Sequence, residues 1–106
     1  ILPVHENENK KSSYHLYMLR IKNCSEEKRN IIIRKMAEIE VAVNVHYKPL
    51  PMLTLYKELN YKIEKFPVAY QCYKNEISLP VYFNLKNEEV KFIANSIISI
   101  VNKEIK

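Results

Sequence analysis

The sequence predicts a two-layer α+β fold in which a small, mainly antiparallel sheet carries helices packed on one face. Length is the first reason, because 106 residues suffice for one domain with a buried core, and 47% of them are hydrophobic. The second reason is that segments typical of strands alternate along the chain with segments of helical period. The third is that the strands are too few for a doubly wound sheet.

The first part of the chain predicts a loop, a strand and a helix. Residues 5–13 are polar and predict a loop, whereas residues 14–22 are aromatic and aliphatic, as in a strand that is covered mainly on one side. Ser25 is the predicted N-cap of a helix that ends near Glu38, and acidic residues follow the cap at the positive end of the helix dipole. The apolar face of this helix consists of Ile32, Ile33, Met36 and Ala37.

A second strand is predicted over residues 41–45. The prolines at positions 49 and 51 cannot donate to a sheet ladder, so this strand ends by Tyr47. Its side chains alternate between two faces, with Val41, Val43 and Val45 on one and Ala42, Asn44 and His46 on the other.

The second half predicts two short helices, a short strand and a long helix. A short helix is predicted over residues 52–60, and Pro67 occupies the first position of the next one. Residues 78–83 are extended around Pro80, as in an edge strand, and Asn87 is predicted to cap the last helix. The predicted buried side chains are Val68, Ala69, Cys72 and Tyr73 in the helix after Pro67, and Val90, Ile93, Ala94, Ile97, Ile98 and Val101 in the last helix.

The chain contains no glycine. This absence excludes glycine-dependent phosphate loops such as GxGxxG and the Walker loop. Tight turns that need a positive φ must then use asparagine, the residue that best tolerates the left-handed conformation after glycine. The predicted turn positions are Asn23, Asn60 and Asn84.

The net charge of +5 suits an anionic ligand. The lysines are nevertheless dispersed and arginine is scarce, so most charges are predicted to be solvated, and nucleic acid is not the expected partner. No run of about 18 apolar residues is present, so no segment is expected to cross a membrane. Cys24 and Cys72 are too few for a disulfide framework in a chain of this size, which predicts a reducing, cytoplasmic compartment.

Three kinds of chemistry have weak support in the sequence. The histidines and cysteines lack the short spacing of a preorganised zinc site, so no metal is expected. A Cys–His nucleophile has no local signature, and a buried cysteine on a helix face is the commoner outcome. The eight tyrosines permit stacking on bases, although positions at the edge of a core with solvated hydroxyls are commoner.

The strongest candidate site is the corner VNVHYKPL, in which His46, Tyr47 and Lys48 follow the second predicted strand and precede two prolines. A loop stiffened by proline can present polar groups into a cleft. There an imidazole donates to a phosphate or carboxylate, and a lysine adds positive charge. The competing interpretation is structural: His46 only caps the strand end, and Tyr47 packs.

Five segments of the chain occur in a distinctive order and spacing. They are SSYHLYMLRI, EEKRNIII, VNVHYKPL, YKELNYK and FPVAYQCYKNEISLPVYFNLKNEEVKFI. Together they cover about residues 12–104 and resemble the C-terminal small domain of the DegT/DnrJ/StrS family of sugar aminotransferases. The chain departs from the family pattern at Asn60 and within residues 39–41, where glycine is usual, and at Pro51, where a histidine is frequent.

The resemblance implies the small domain of a fold-type I enzyme that uses pyridoxal phosphate (PLP). In such enzymes a large domain carries the Schiff-base lysine, and the reaction transfers an amino group from glutamate to a keto nucleotide sugar. Residues 14–106 are then expected to be the small domain and residues 1–13 an N-terminal linker, with the large PLP domain absent. PLP is expected in the parent enzyme and not on this fragment, which is expected to be inactive alone.

The resemblance also implies partners and site residues. The partners are the large domain, the second subunit of a homodimer and a nucleotide sugar of cell-wall or polysaccharide biosynthesis. The position of His46 lies by the active site in the family, and Tyr14 and His15 match a strand entry that approaches the same cleft. Tyr47 and Lys48 are expected to reach the phosphates of the nucleotide sugar. No residue of this chain is expected to be catalytic or to bind the cofactor or a metal.

A function of another class stays open, namely a free-standing binding module for an anionic ligand or a protein partner. The net charge of +5 favours it. A detached small domain is also expected to expose the apolar patch that faces the large domain, and such a patch favours self-association. The patch is drawn from Leu16, Met18, Tyr56 and Phe83.

Overall fold

The computed structural model describes residues 1–105, which form four short strands and four α-helices. The strands are β1 (Glu6–Asn7), β2 (Lys10–Lys11), β3 (Tyr17–Arg20) and β4 (Glu76–Leu79). The helices are α1 (Glu26–Glu38), α2 (Thr54–Glu58), α3 (Pro67–Tyr73) and α4 (Asn87–Glu104). Two 3-10 turns, Leu50–Met52 and Ile63–Lys65, precede α2 and α3.

The predicted α+β architecture is confirmed. β3 and β4 pair antiparallel, with Tyr17 opposite Leu79 and Leu19 opposite Ile77. Because side chains alternate along a strand, these four lie on one face of the sheet, and α1 and α4 pack together on that face. The core consists of Ile21, Cys24, Ile32, Met36, Val41, Ile77, Ile93 and Ile97.

Helix α1 has the predicted bounds. The Ser25 side chain accepts a hydrogen bond from the N–H of Lys28 at 3.2 Å, so the predicted N-cap is confirmed. Ile32 and Met36 are fully buried, while Ala37, predicted to share their face, is exposed. The buried residues of this helix are therefore Arg29, Ile32 and Met36, so the buried stripe extends toward its N-terminus and does not include Ala37.

Four of the described residues have a positive φ, and none is glycine. Asn23 (55°) and Asn60 (61°) are the predicted turn positions, whereas Asn84 does not adopt this conformation. Tyr14 (57°) and Glu40 (60°) were not predicted. Asn60 and Glu40 thus adopt the left-handed conformation that glycine adopts most readily. A side chain there costs about 1–2 kcal/mol.

The strand predicted over residues 41–45 is wrong, since the segment makes only one bridge to β4. Asn44 and Ser78 exchange two main-chain hydrogen bonds, of 3.1 and 2.7 Å. The predicted alternation of side chains is nevertheless present. Val41 is buried and Val43 and Val45 are half-buried, whereas Ala42 and Asn44 are exposed.

Glu76 of β4 and Pro80 after it explain why residues 41–46 pair with β4 at only one bridge. In antiparallel pairing, the next hydrogen-bonded pairs on either side of this bridge would be Ala42 with Pro80 and His46 with Glu76. Pro80 has no N–H to donate. The His46 N–H donates to the Glu76 side chain, at 3.0 Å from Oε2, in place of a main-chain carbonyl.

The N-terminal segment differs from the predicted loop over residues 5–13, because β1 and β2 form a small antiparallel hairpin. The Asn7 Oδ1 atom accepts two main-chain N–H groups of the turn, both at 3.0 Å, which shapes the turn without glycine. Before the hairpin, Ile1 exchanges two main-chain hydrogen bonds with Arg20, of 2.6 and 3.0 Å. The start of the chain therefore lies along β3.

Helix α3 begins at Pro67 as predicted, but the prediction of its buried side is wrong. The hydroxyls of Tyr70 and Tyr73 attach α3 to α1 through hydrogen bonds to Glu26, and no residue of the helix is fully buried. Of the predicted buried side chains, Val68, Ala69 and Cys72 are exposed and Tyr73 is half-buried.

Helix α4 is present as predicted, with a different cap. Its N-cap is Lys86, whose N–H donates to Glu89 Oε2 at 2.7 Å, and Asn87 is already helical. This contact of Glu89 with the Lys86 main chain is the half of a capping box that a lysine N-cap permits. On the apolar face Ile93 and Ile97 are buried, while Val90 and Ile98 are exposed.

Strand β4 ends at Leu79, so the extended strand predicted over residues 78–83 is wrong from Pro80 onward. Of the predicted apolar patch, Met18 and Phe83 are exposed, the latter completely, while Leu16 and Tyr56 are half-buried. Self-association through this patch stays a prediction. No helix among residues 1–105 combines the length and apolar character needed to cross a membrane.

Candidate functional site

The face of the β3–β4 sheet that points away from α1 and α4 carries polar groups. On this face Arg20 lies opposite Glu76, and Met18 lies opposite Ser78. Glu76 is only 5% exposed, and a buried carboxylate needs hydrogen-bond donors. Two donors are present, because the Ser78 hydroxyl lies 2.5 Å from Oε1 and the His46 N–H lies 3.0 Å from Oε2.

A cleft of about 580 Å³, called the main cleft below, opens on this polar face. The sheet contributes Arg20 and Glu76, β2 contributes Lys10, and α3 contributes Cys72 and Tyr73. Further lining comes from residues 1–4 and from the corner that contains His46, Tyr47 and Pro49. The main cleft thus combines two cationic side chains and the Glu76 carboxyl group with an imidazole and two phenols.

His46 lines the main cleft and also a smaller cleft of about 260 Å³. Its ring contacts the ring of Tyr47 edge to face, with the centroids 4.7 Å apart, and the peptide bond between them is cis. Its Nδ1 atom is buried and has no hydrogen-bond partner within residues 1–105. Buried polar atoms are normally paired, so this unpaired nitrogen is an exception among residues 1–105.

The predicted site residues are brought together only in part. Tyr47 lines the main cleft with His46, and His15 lines the smaller cleft with His46. Tyr14 and Lys48 are exposed and line neither cleft. The Tyr14 ring stacks on the ring of His5, with centroids 5.3 Å apart.

Sequence reasoning missed the charged residues of the main cleft. Lys10 and Arg20 supply the positive charge that the sequence interpretation assigned to Lys48. A signal for Arg20 existed, because a lone arginine within the apolar segment 14–22 marks the face it shares with Met18. No local signal marked Glu76, whose partner His46 lies 30 residues away.

A polar cluster fixes α3, and with it one lining segment of the main cleft, to α1. The Tyr73 hydroxyl donates to Glu26 Oε1 at 2.9 Å, and the Tyr70 hydroxyl donates to Oε2 at 3.4 Å. Arg29 lies 3.5 Å from the same carboxylate and 4.7 Å from the centroid of the Tyr73 ring. Burial raises the pKa of the Tyr73 phenol, and the nearby Arg29 guanidinium partly opposes this effect. Tyr73 is therefore a neutral hydrogen-bond donor at pH 7.

The two cysteines are free and have different surroundings. Cys24 belongs to the core, and burial raises the pKa of its thiol against the smaller opposing effects of Lys28 and Arg29. Cys72 is exposed in the main cleft, and its Sγ accepts a hydrogen bond from Arg20 at 3.4 Å. Among residues 1–105, no three His, Cys, Asp or Glu side chains are grouped so that they could hold a metal ion.

Comparison with known protein families gives a match over residues 1–98 to the model of the DegT/DnrJ/EryC1/StrS aminotransferase family. A UDP-4-amino-4,6-dideoxy-N-acetyl-β-L-altrosamine transaminase of Helicobacter pylori is 32% identical over 96 residues, which are 91% of this chain and 25% of that protein. The spore coat polysaccharide biosynthesis protein SpsC of Bacillus subtilis is 28% identical over 84% of this chain and 24% of its own length.

Solved structures agree with these matches. Spr1654 of Streptococcus pneumoniae, a provisionally assigned sugar aminotransferase, has a TM-score of 0.95 and 42% identity over 97% of this chain and 26% of its own. PseC of Helicobacter pylori, an aminotransferase of pseudaminic acid biosynthesis, has a TM-score of 0.80 and 32% identity over 90% of this chain and 25% of its own. The chain spans about a quarter of the length of these relatives. The match over residues 1–98 and the identity with these proteins show that the chain belongs to the DegT/DnrJ/EryC1/StrS aminotransferase family.

Proposed function

We propose that the chain is the C-terminal small domain of a PLP-dependent sugar aminotransferase, whose reaction transfers an amino group from glutamate to a keto nucleotide sugar. The observation that carries the proposal is the likeness to Spr1654, with a TM-score of 0.95 over 97% of the chain. One of the matching Spr1654 structures is its PLP form. The transaminase of Helicobacter pylori, which is named for a UDP-linked amino sugar, supports the substrate class.

The main cleft does not by itself form a PLP site. PLP is attached to its enzymes through a lysine. Of the residues within 1–105 that line the main cleft, Lys10 is the only lysine, and it is exposed on a two-residue strand. The large domain of the parent enzyme is therefore the proposed holder of the cofactor.

The proposed role of this chain is to bind and orient the nucleotide sugar. His46, which lines both clefts, would hydrogen-bond a sugar hydroxyl or a phosphate oxygen through its imidazole. Tyr47 would contact the same ligand from the main cleft, and His15 from the smaller cleft. Tyr14 and Lys48 are exposed and would contact substrate from the side that the large domain covers.

The proposed partners are the large domain and the second subunit of a homodimer. Exposed apolar side chains such as Phe83, which is completely accessible, support a covering protein surface. The two free cysteines agree with a reducing compartment, so the proposed location is the cytoplasm.

A chimera tests the proposal. The matching C-terminal quarter of the Helicobacter pylori transaminase is replaced by this chain, and the enzyme without that quarter is the reference. With 2-oxoglutarate and the UDP-amino sugar of that enzyme, the chimera is expected to form glutamate, and the truncated enzyme is not. His46→Ala is expected to lower kcat/KM about tenfold or more, since one hydrogen bond to a charged group is lost.

Val68→Ala is the matched control, because Val68 is 76% exposed and lines neither cleft. A folded chimera that binds PLP but is no more active than the truncated enzyme contradicts the proposed function. Equal activity of the His46→Ala and Val68→Ala chimeras contradicts the proposed site.

The alternative of a free-standing binding module rests on the net charge of +5. Calorimetry of the isolated chain against a nucleotide sugar and against RNA separates the two functions. Tight, salt-sensitive binding to either of these anionic ligands without a large domain would favour the binding module. Absence of binding to both would leave the aminotransferase domain as the supported function.

A further inference from the structure

We propose that Glu76 is a positioning residue that ends the pairing of the 41–46 segment with β4 and so holds His46 between the two clefts. The position of His46 follows from hydrogen bonds within this chain. Only its importance for transamination rests on the function proposed above.

The register of the sheet supports this role. The bridge between Asn44 and Ser78 is a hydrogen-bonded pair, so continued pairing would place the His46 N–H against the main-chain carbonyl of Glu76. The N–H lies instead 3.0 Å from Glu76 Oε2. The carboxylate thus takes the place of the main-chain acceptor, and the chain leaves β4 at the residue whose ring lines both clefts.

The carboxylate is itself held in place. Its Oε1 atom accepts the Ser78 hydroxyl at 2.5 Å, and the residue is 5% exposed. Both oxygens of Glu76 are therefore engaged by the protein, whereas His46 lines both clefts. This division indicates that His46 meets the ligand and Glu76 orients His46.

The first test uses the unmutated 106-residue chain labelled with ¹⁵N and ¹³C. A scalar coupling through the hydrogen bond is expected between the amide nitrogen of His46 and the side-chain carboxyl carbon of Glu76. A coupling to the main-chain carbonyl carbon of Glu76, or none to that residue, overturns the proposal. This measurement needs no variant and stays decisive where a substitution prevents folding.

The second test measures amide hydrogen exchange in variants. Glu76→Ala is expected to accelerate exchange of the His46 N–H about tenfold or more, because a charge-assisted hydrogen bond is lost, while exchange in the β3–β4 ladder changes less. Glu76→Gln keeps an oxygen acceptor and is expected to accelerate exchange less. Glu58→Ala, at an exposed glutamate of α2, is the control. Equal acceleration at His46 and at Ile77 of the ladder, or none at His46, contradicts the role.

The third test is kinetic and uses the chimera. Glu76→Ala is expected to lower kcat/KM about tenfold, with Glu76→Gln less impaired, and to have almost no further effect when His46→Ala is already present. If Glu76→Ala lowers kcat/KM by the same factor in the unmutated and the His46→Ala chimera, Glu76 has only a structural role and the proposal is overturned. A chimera that is inactive with every variant counts against the proposed function, and the coupling and exchange measurements still decide the role of Glu76.

Discussion

Replacement of Glu26 by alanine is expected to cost much more stability than the same change at Glu27. The Glu26 carboxylate lies 3.5 Å from Arg29 and accepts the hydroxyls of Tyr73 and Tyr70 at 2.9 and 3.4 Å. Glu27 is exposed. Both glutamates lie in the first turn of α1, so both changes remove a similar interaction with the helix dipole, and their difference isolates the cluster.

The magnitude follows from the burial of Arg29. This side chain is 1% exposed, and its Nε and Nη1 atoms have no partner within residues 1–105, so Glu26 is the carboxylate that balances its charge. Removing one partner of a buried ion pair costs about 3–5 kcal/mol. Because Glu26 is 30% exposed and water partly replaces it, the expected cost is about 3 kcal/mol, at the lower end of that range. Glu27→Ala loses only the dipole interaction, about 0.3–1 kcal/mol.

Urea unfolding followed by circular dichroism measures both changes. The free energies of unfolding of Glu26→Ala and Glu27→Ala are expected to differ by about 2 kcal/mol, and Glu26→Ala is expected to lower Tm by about 12 °C or more. The Arg29→Met background is the further control, because Glu26→Ala should cost much less once the buried charge is gone. Equal losses at positions 26 and 27 would refute the reasoning, since Arg29 would then not depend on Glu26.

Two further predictions concern titration and reactivity. Because burial raises the pKa of Tyr73 above the value of about 10 in an unfolded chain, the stabilisation linked to its proton is fully present below pH 10 and lost as pH rises through the folded pKa. An ultraviolet absorbance titration should show one phenol that ionises above pH 10 in the native protein and is absent from Tyr73→Phe. A titration curve that this substitution leaves unchanged contradicts the assignment. At neutral pH, iodoacetamide should alkylate exposed Cys72 at least about tenfold faster than buried Cys24, whose thiol pKa is raised. Mass spectrometry of the digested protein measures both rates, unfolding in urea should equalise them, and equal rates in the native protein would show that Cys24 is accessible.

Features whose causes lie within a few residues were predictable from the sequence. Ser25 caps α1 through an amide three residues away, and the helix has the predicted bounds. Asn23 and Asn60 adopt the left-handed conformation that a chain without glycine requires. The α+β fold class followed from the same local signals taken in order.

Features that depend on distant pairing were not predictable. Residues 41–45 alternate as a strand would, yet whether they form one depends on Pro80 and on the side chain of Glu76, about thirty residues further on. The charges of the main cleft are a similar case. Lys10 and Arg20 line the same cleft as His46 only because a hairpin and the β3–β4 register bring three separate segments together.

One imidazole forms part of the wall of two cavities, since His46 lines both the main cleft and the smaller one. Rotation of that single ring would alter the shape of both at once. A compound seated in the smaller cavity against His15 could thus block a sugar ligand in the larger one without overlapping it. For inhibitor design against an enzyme that contains this domain, the smaller cavity beside the imidazole offers a second binding site that does not overlap the site of the substrate.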